Sequence, residues 1–115
     1  MSILALRFLF EPLRELSFSS VGASYIAIGA PLTNPSRLFI LQNLTDETVY
    51  ISDDGVNNKF KFPPGGALTL DNVSNRTEQS SSNEMPQGTI WYVKHAGVAP
   101  TLGSITISTG YGSEV

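Results

Sequence analysis

Asp53, Asp54 and Gly55 are the first residues in this chain whose types suggest chemistry, because paired carboxylates beside a glycine can seed a calcium loop. Calcium takes roughly six to eight oxygens, and the acidic spacing that closes an EF-hand on a glutamate does not follow here. Asp-Gly between two β-runs is also a common hairpin signal, with glycine supplying positive φ, so a turn is the expected role. His95 is the single histidine. Serines and aspartates abound to complete a Ser-His-Asp set, but no Gly-x-Ser-x-Gly elbow is present, and one histidine falls short of a typical zinc site. Paired-carboxylate hydrolysis needs two acids facing each other across a cleft, whereas Asp and Glu fall in turns and in a polar loop. Pro63, Pro64, Gly65 and Gly66 lack the Lys-Ser/Thr and the following helix of a phosphate loop. Zero cysteines exclude a disulfide scaffold, a thiolate nucleophile and any Cys-based metal site. The expectation is no catalytic residue, no cofactor and no metal.

Aromatic side chains offer binding rather than reaction chemistry. Trp91, Tyr92, Tyr50 and Tyr25 could form a platform for sugars, although aromatics in β-proteins more often fill the core. Trp91 is assigned to the core. Tyr50 is the better exposed contact, and with Asn75 and Arg76 it makes up the candidate recognition surface. Asn43, Asn72 and Asn75 each begin a glycosylation sequon, read here as coincidence in an Asn/Ser/Thr-rich chain.

The elements that must position these residues read as β throughout. Charged residues are only 15% of the 115, and Ser, Thr, Asn and Gly take their place, which favours strands and turns over helices. Phe60 and Phe62 alternate with Lys59 and Lys61, the period of a strand packed on one face and wet on the other. Ile105 and Ile107 alternate with hydroxyls in the same way. Further strand-like runs fall at residues 3–10, 13–18, 24–28, 37–41, 48–52, 67–70 and 89–94, with a weak tail at Tyr111. The spacing predicts an all-β, antiparallel, jelly-roll-like sandwich of about eight short strands. The length suits one domain with a core of its own.

Two segments stand apart. Residues 1–12 form an apolar arm or first strand ahead of a domain spanning 13–115. A helix over 3–16 is the competing reading, opposed by Pro12 and the aromatics. This N-terminus lacks the basic start and the cleavage site of a secretory signal, and is too short to cross a bilayer. Ile3, Leu4, Leu6, Phe8 and Phe10 are the candidate assembly contacts, able to complete this sheet or add a strand to a neighbouring copy. Residues 71–88 form a long polar, serine-rich loop of the kind that is usually functional or mobile. The net charge of −3, with no Lys/Arg cluster, argues against a nucleic-acid partner.

Taken in order, LRELSF at 13–18, GAPLTNPSR at 29–37, NLTDETVYISDDG at 43–55, FPPGG at 62–66, GTIWYVK at 88–94 and APTLGS at 99–104 resemble a family of small virion proteins of tailed bacteriophages. The resemblance runs from about Leu13 onward. It implies a non-enzymatic β-sandwich, made in the host cytoplasm and built into the particle at the capsid surface, neck or tail. It implies capsid, portal-neck or tail proteins as partners, a homo-oligomer, no membrane and no small-molecule ligand, and it transfers no catalytic residue. The rival expectation is a carbohydrate- or host-receptor-binding module using Tyr50 and the 71–88 loop.

Overall fold

In a computed structural model, which describes residues 6–71 and 85–114, the alternating runs form nine strands: β1 Leu6–Phe10, β2 Arg14–Ser17, β3 Ile26–Ala27, β4 Leu38–Asn43, β5 Val49–Ser52, β6 Phe60–Phe62, β7 Ala67–Asp71, β8 Tyr92–His95 and β9 Ser104–Glu114. Pairing is antiparallel and nested: β5 with β6, β4 with β7, β3 with β8, and β2 with β9. Such a rolled ribbon is the jelly roll. Successive pairs alternate between sheet A, in the order β1-β9-β4-β7 with β2 also on β9, and sheet B, in the order β3-β8-β5-β6. The antiparallel all-β sandwich is therefore as the composition suggested, and residues 6–10 are strand rather than helix.

The core lies between the sheets. Phe39 and Leu41 from β4, Ile105 and Ile107 from β9, Val49 and Ile51 from β5, and Val93 from β8 are all at most 1% exposed. Their positions alternate along each strand, as a half-buried strand requires. Trp91 joins them, tilted on Phe39 at 5.3 Å between ring centroids, its indole N–H donating to the Met85 sulfur at 3.2 Å. The apolar run at 89–94 is only partly strand: β8 begins at Tyr92. Trp91 is held instead through its carbonyl, which accepts from the Ile28 N–H at 2.7 Å.

One corner of the sandwich is organised by Asn43, which is fully buried at the end of β4. Its Nδ2 donates to the carbonyls of Glu47, Phe62 and Pro63 at 3.0, 3.2 and 3.0 Å, and its Oδ1 accepts from the backbone and hydroxyl of Thr45 at 3.1 and 2.6 Å. The amide thus ties the β4–β5 connection to the β6–β7 turn. In that turn the Gly66 N–H donates to the Pro63 carbonyl, with Pro64 and positive-φ Gly65 in the central positions of a type II turn. Gly103 closes the same corner. Its φ is +89°, and a Cβ there would stand 2.0 Å from the Leu44 carbonyl oxygen.

A second organising point is the break between β1 and β2. Both strands lie along the same side of β9, but Phe10 faces Gly110 whereas Arg14 faces Ile107, so the edge strand carries one residue more than its partner. This bulge over residues 11–13 contains Pro12, which has no N–H for the ladder. It reverses which face each alternate residue meets. Arg14 and Leu16 point into the core, whereas Phe8 and Phe10 stand on the outer face of sheet A. Glu11 fastens the bulge: its carboxylate accepts from Arg14 at 2.7 Å and from the Asn34 backbone and side chain at 2.8 and 3.1 Å. Arg14 in turn donates to the carbonyls of Ala30 and Pro31 at 2.7 and 2.9 Å. Burial alone would raise the Glu11 pKa, but the bonds from Arg14 and Asn34 outweigh it and hold the carboxyl below its ordinary 4.5.

Two outcomes follow. Asn43→Ala removes the donor shared by three carbonyls and leaves the Thr45 N–H without its acceptor, so it should cost about 3 kcal/mol, read as a lower urea midpoint at unchanged slope. Because Glu11 titrates lower folded than unfolded, its contribution is present above the unfolded value of 4.5 and drains as pH falls below it. Glu11→Gln should therefore be less stable at neutral pH yet lose less than the parent on acidification, in urea melts run on both sides of that value.

Candidate functional site

Two surfaces collect the residues that neither core nor turns absorb. The first is the edge of sheet A. Phe8 and Phe10 are 38% and 64% exposed, with their rings edge to face at 5.2 Å. They lie over Gly110, where a Cβ would stand 2.8 Å from the Phe8 ring. A side chain at that position would lift the rings, so the glycine lets them lie flat. Leu38 and Ile40, half-buried on the same outer face, continue the apolar stripe. Beyond β1 no strand pairs among the described residues, which leaves a row of backbone donors and acceptors open. Leu6 opens this strand; Ile3 and Leu4 lie outside the described residues.

The second surface is the outer face of sheet B. Register puts Tyr50 of β5 opposite Lys94 of β8 on one side and Lys61 of β6 on the other. Lys94 Nζ sits 4.8 Å over the Tyr25 ring and 5.9 Å from Tyr50, while Lys61 Nζ lies 5.8 Å from Tyr50. These distances are within cation–π range. Tyr25 donates to Asn58 Oδ1 at 2.5 Å. Burial, with Asp54 and Tyr50 adding to it, pushes this phenol pKa upward and keeps the donor protonated. Beside Lys61 a shallow cleft of about 250 Å³ is lined by Glu47, Thr48, Lys61, Ala96 and Val98.

The residues that first suggested metal binding or catalysis are otherwise engaged. Asp54 Oδ1 accepts from the Ser52 hydroxyl at 2.6 Å and from the Val56 and Asn57 N–H groups at 2.8 and 2.9 Å, which holds its carboxyl far below the ordinary range. Asp53 pairs with Lys59 at 2.9 Å, raising the lysine pKa. The segment is the connection between β5 and β6, longer than a two-residue hairpin, with Gly55 at φ +75°. His95 Nδ1 accepts from the Gly97 N–H at 3.1 Å. Asp46, held low by the Thr101 hydroxyl and backbone, pins the approach to β9. Among the described residues no three His, Cys, Asp or Glu side chains come together in a way that could hold a metal.

Of the sequence-derived recognition residues, Tyr50 stands at the centre of the second surface, and Asn75 and Arg76 lie outside the described residues. Tyr25 was in view as an aromatic, but Lys94 and Lys61 were not singled out. Only the strand register brings them to Tyr50. No family model, curated protein or solved structure matches this chain.

Trp91 is 8% exposed and walled in by Phe39 and Phe60. Its fluorescence should therefore be blue-shifted and resist iodide quenching, and added sugars should leave it unchanged. Quenching as efficient as that of free tryptophan would contradict this packing.

Proposed function

We propose that this chain is a non-enzymatic structural component of a tailed-phage virion, assembling through repeated protein–protein contacts as a capsid-decorating or head–tail neck element. The observation that carries the reading is the open β1 edge with Phe8 and Phe10 exposed beside it. Monomeric proteins usually blunt such an edge with charge, proline or a covering loop. Here it carries aromatics, which suits a strand that is completed by a second copy. Two β1 edges meeting antiparallel around a two-fold axis satisfy both rows of backbone groups, and each ring buried adds about 1.5–3 kcal/mol before ordering costs.

Three further points support the assignment. The ordered segments that carry the phage resemblance meet in space: Arg14 from the first bonds to Ala30 and Pro31 of the second. The jelly roll is a recurrent architecture of viral capsid proteins, an analogy at the level of fold alone. The carboxylates of Glu11, Asp46, Asp53 and Asp54 are all committed to turns, bulges and ion pairs, as in a scaffold.

In particles purified from the phage that encodes it, the chain should be present in many stoichiometric copies by mass spectrometry; its absence there overturns the assignment. Light scattering should show a defined oligomer for the parent. Phe10→Lys should shift it at least tenfold in dissociation constant toward monomer, an effect of about 1.4 kcal/mol, with the near-UV circular dichroism retained. A parent that stays monomeric at high concentration removes the edge-pairing mechanism.

A further inference from the structure

The chain is acidic overall, with a net charge of −3, yet two of its cations are gathered on one face. Arg14 is paired with Glu11, and Lys59 with Asp53 and Asp54. Lys61 and Lys94 have no carboxylate within salt-bridge distance among the described residues. Both stand one strand away from Tyr50 on the outer face of sheet B. Their strands are two steps apart, which separates the side-chain bases by about 9.5 Å at the usual spacing of 4.7–4.9 Å per strand. The result is a cross-strand row: ammonium, phenol, ammonium. Tyr25 lies at one end and the cleft beside Lys61 at the other.

We propose that this row is a binding site for an acidic polysaccharide whose carboxylates are separated by neutral, hydroxylated length. The two ammonium groups would take carboxylates two strands apart, and the Tyr50 phenol would bond to the hydroxyls between them, while Tyr25, committed to Asn58, bounds one end of the row. Charge complementarity sets the sign of the ligand, and the surroundings set its charge density. Glu47 flanks Lys61, and Asp54 acts on Tyr25. A polymer with a charge on every unit would be repelled at both ends, whereas a sparsely charged one meets only the lysines. Single-stranded nucleic acid is disfavoured for a second reason: bases stack on open aromatic faces, and here those faces are covered by the lysines. A protein partner would place an apolar anchor at the centre of its contact. The centre here is polar and charged. This inference is independent of the β1 edge, since the two surfaces lie on opposite sheets.

The test is affinity electrophoresis of the full chain in native gels containing hyaluronate, whose carboxylates fall on every second sugar, with amylose as the neutral control and oligothymidylate as the competing polyanion. Retardation by hyaluronate but not amylose, suppressed by salt, is the expected result. Lys61→Gln with Lys94→Gln should weaken it by roughly tenfold or more, since each lost bond is charge-assisted. Phe10→Lys should leave it unchanged, which separates this site from assembly. Equal mobility in all gels, equal retardation of the double variant, or stronger retention by oligothymidylate would each overturn the proposal. Near-UV circular dichroism checks that the double variant is folded; if it is not, the Lys→Thr pair, which suits a strand, carries the same comparison.

Discussion

A buried primary amide holds this sandwich in register. Asn43 meets its full hydrogen-bonding capacity against groups from two separate segments, in a place where no water is needed to complete the set. A buried polar group that is fully paired discriminates between arrangements more sharply than apolar packing does, because every slipped alternative strands donors and acceptors. Slipping β4 by one residue against β7 or β9 would exchange Asn43 for Gln42 or Leu44 and break this set. It would also exchange the apolar positions 39 and 41 for 40 and 42. The polar corner and the hydrophobic pattern therefore specify the same register, which is how a sequence poor in charge selects one pairing among many β-competent runs.

The bulge at residues 11–13 is a compromise of another kind. An uninterrupted edge strand would put Phe8, Phe10, Arg14 and Leu16 on a single face. One inserted residue divides them, so that Leu16 and the aliphatic part of Arg14 serve the core while the aromatics are delivered outward. The cost is a buried carboxylate and a guanidinium that must be paired, and the two-proline connection at 30–35 supplies the partners. Gly29 completes the arrangement. Its φ of +73° admits a residue without a side chain, and a Cβ there would lie 2.9 Å from Arg14 Cβ and Cγ.

Much of the fold was legible because strand periodicity is local. Phe62, half-buried, and Ile105 and Ile107, both buried, do what their alternation says, while Phe60 stacks on Phe62 at 5.9 Å but stays exposed. Trp91 was legible as core from the apolar run around it. The start of β8 was less so: Thr89, Ile90 and Trp91 have the composition of strand residues, but tertiary bonds from Ile28 and Leu32 claim the backbone on this approach. Partnership could not be read at all. That Lys94 and Lys61 flank Tyr50, or that Phe10 covers Gly110, depends on register between segments far apart in sequence, and nothing in the local pattern encodes it. The outward turn of Phe8 and Phe10 was hidden for the same reason. Pro12 marks a break in the ladder but not the number of residues by which the ladder slips.

The nested pairing also dictates an order of events during synthesis. β5 and β6 emerge close together and can close at once, whereas β9, the last strand among the described residues, pairs with β1, β2 and one edge of β4. Until it leaves the ribosome, β1, β2 and one edge of β4 wait without their ladder. The entropy of closing the outer pairs falls as the inner ones form, so zippering from the β5–β6 tip is the economical route. A chain released before Ser104 would carry sheet A with its spine missing, its aromatic edge and open backbone both available to neighbouring chains. For this architecture, completeness of the last eleven-residue strand is a condition for solubility as much as for stability.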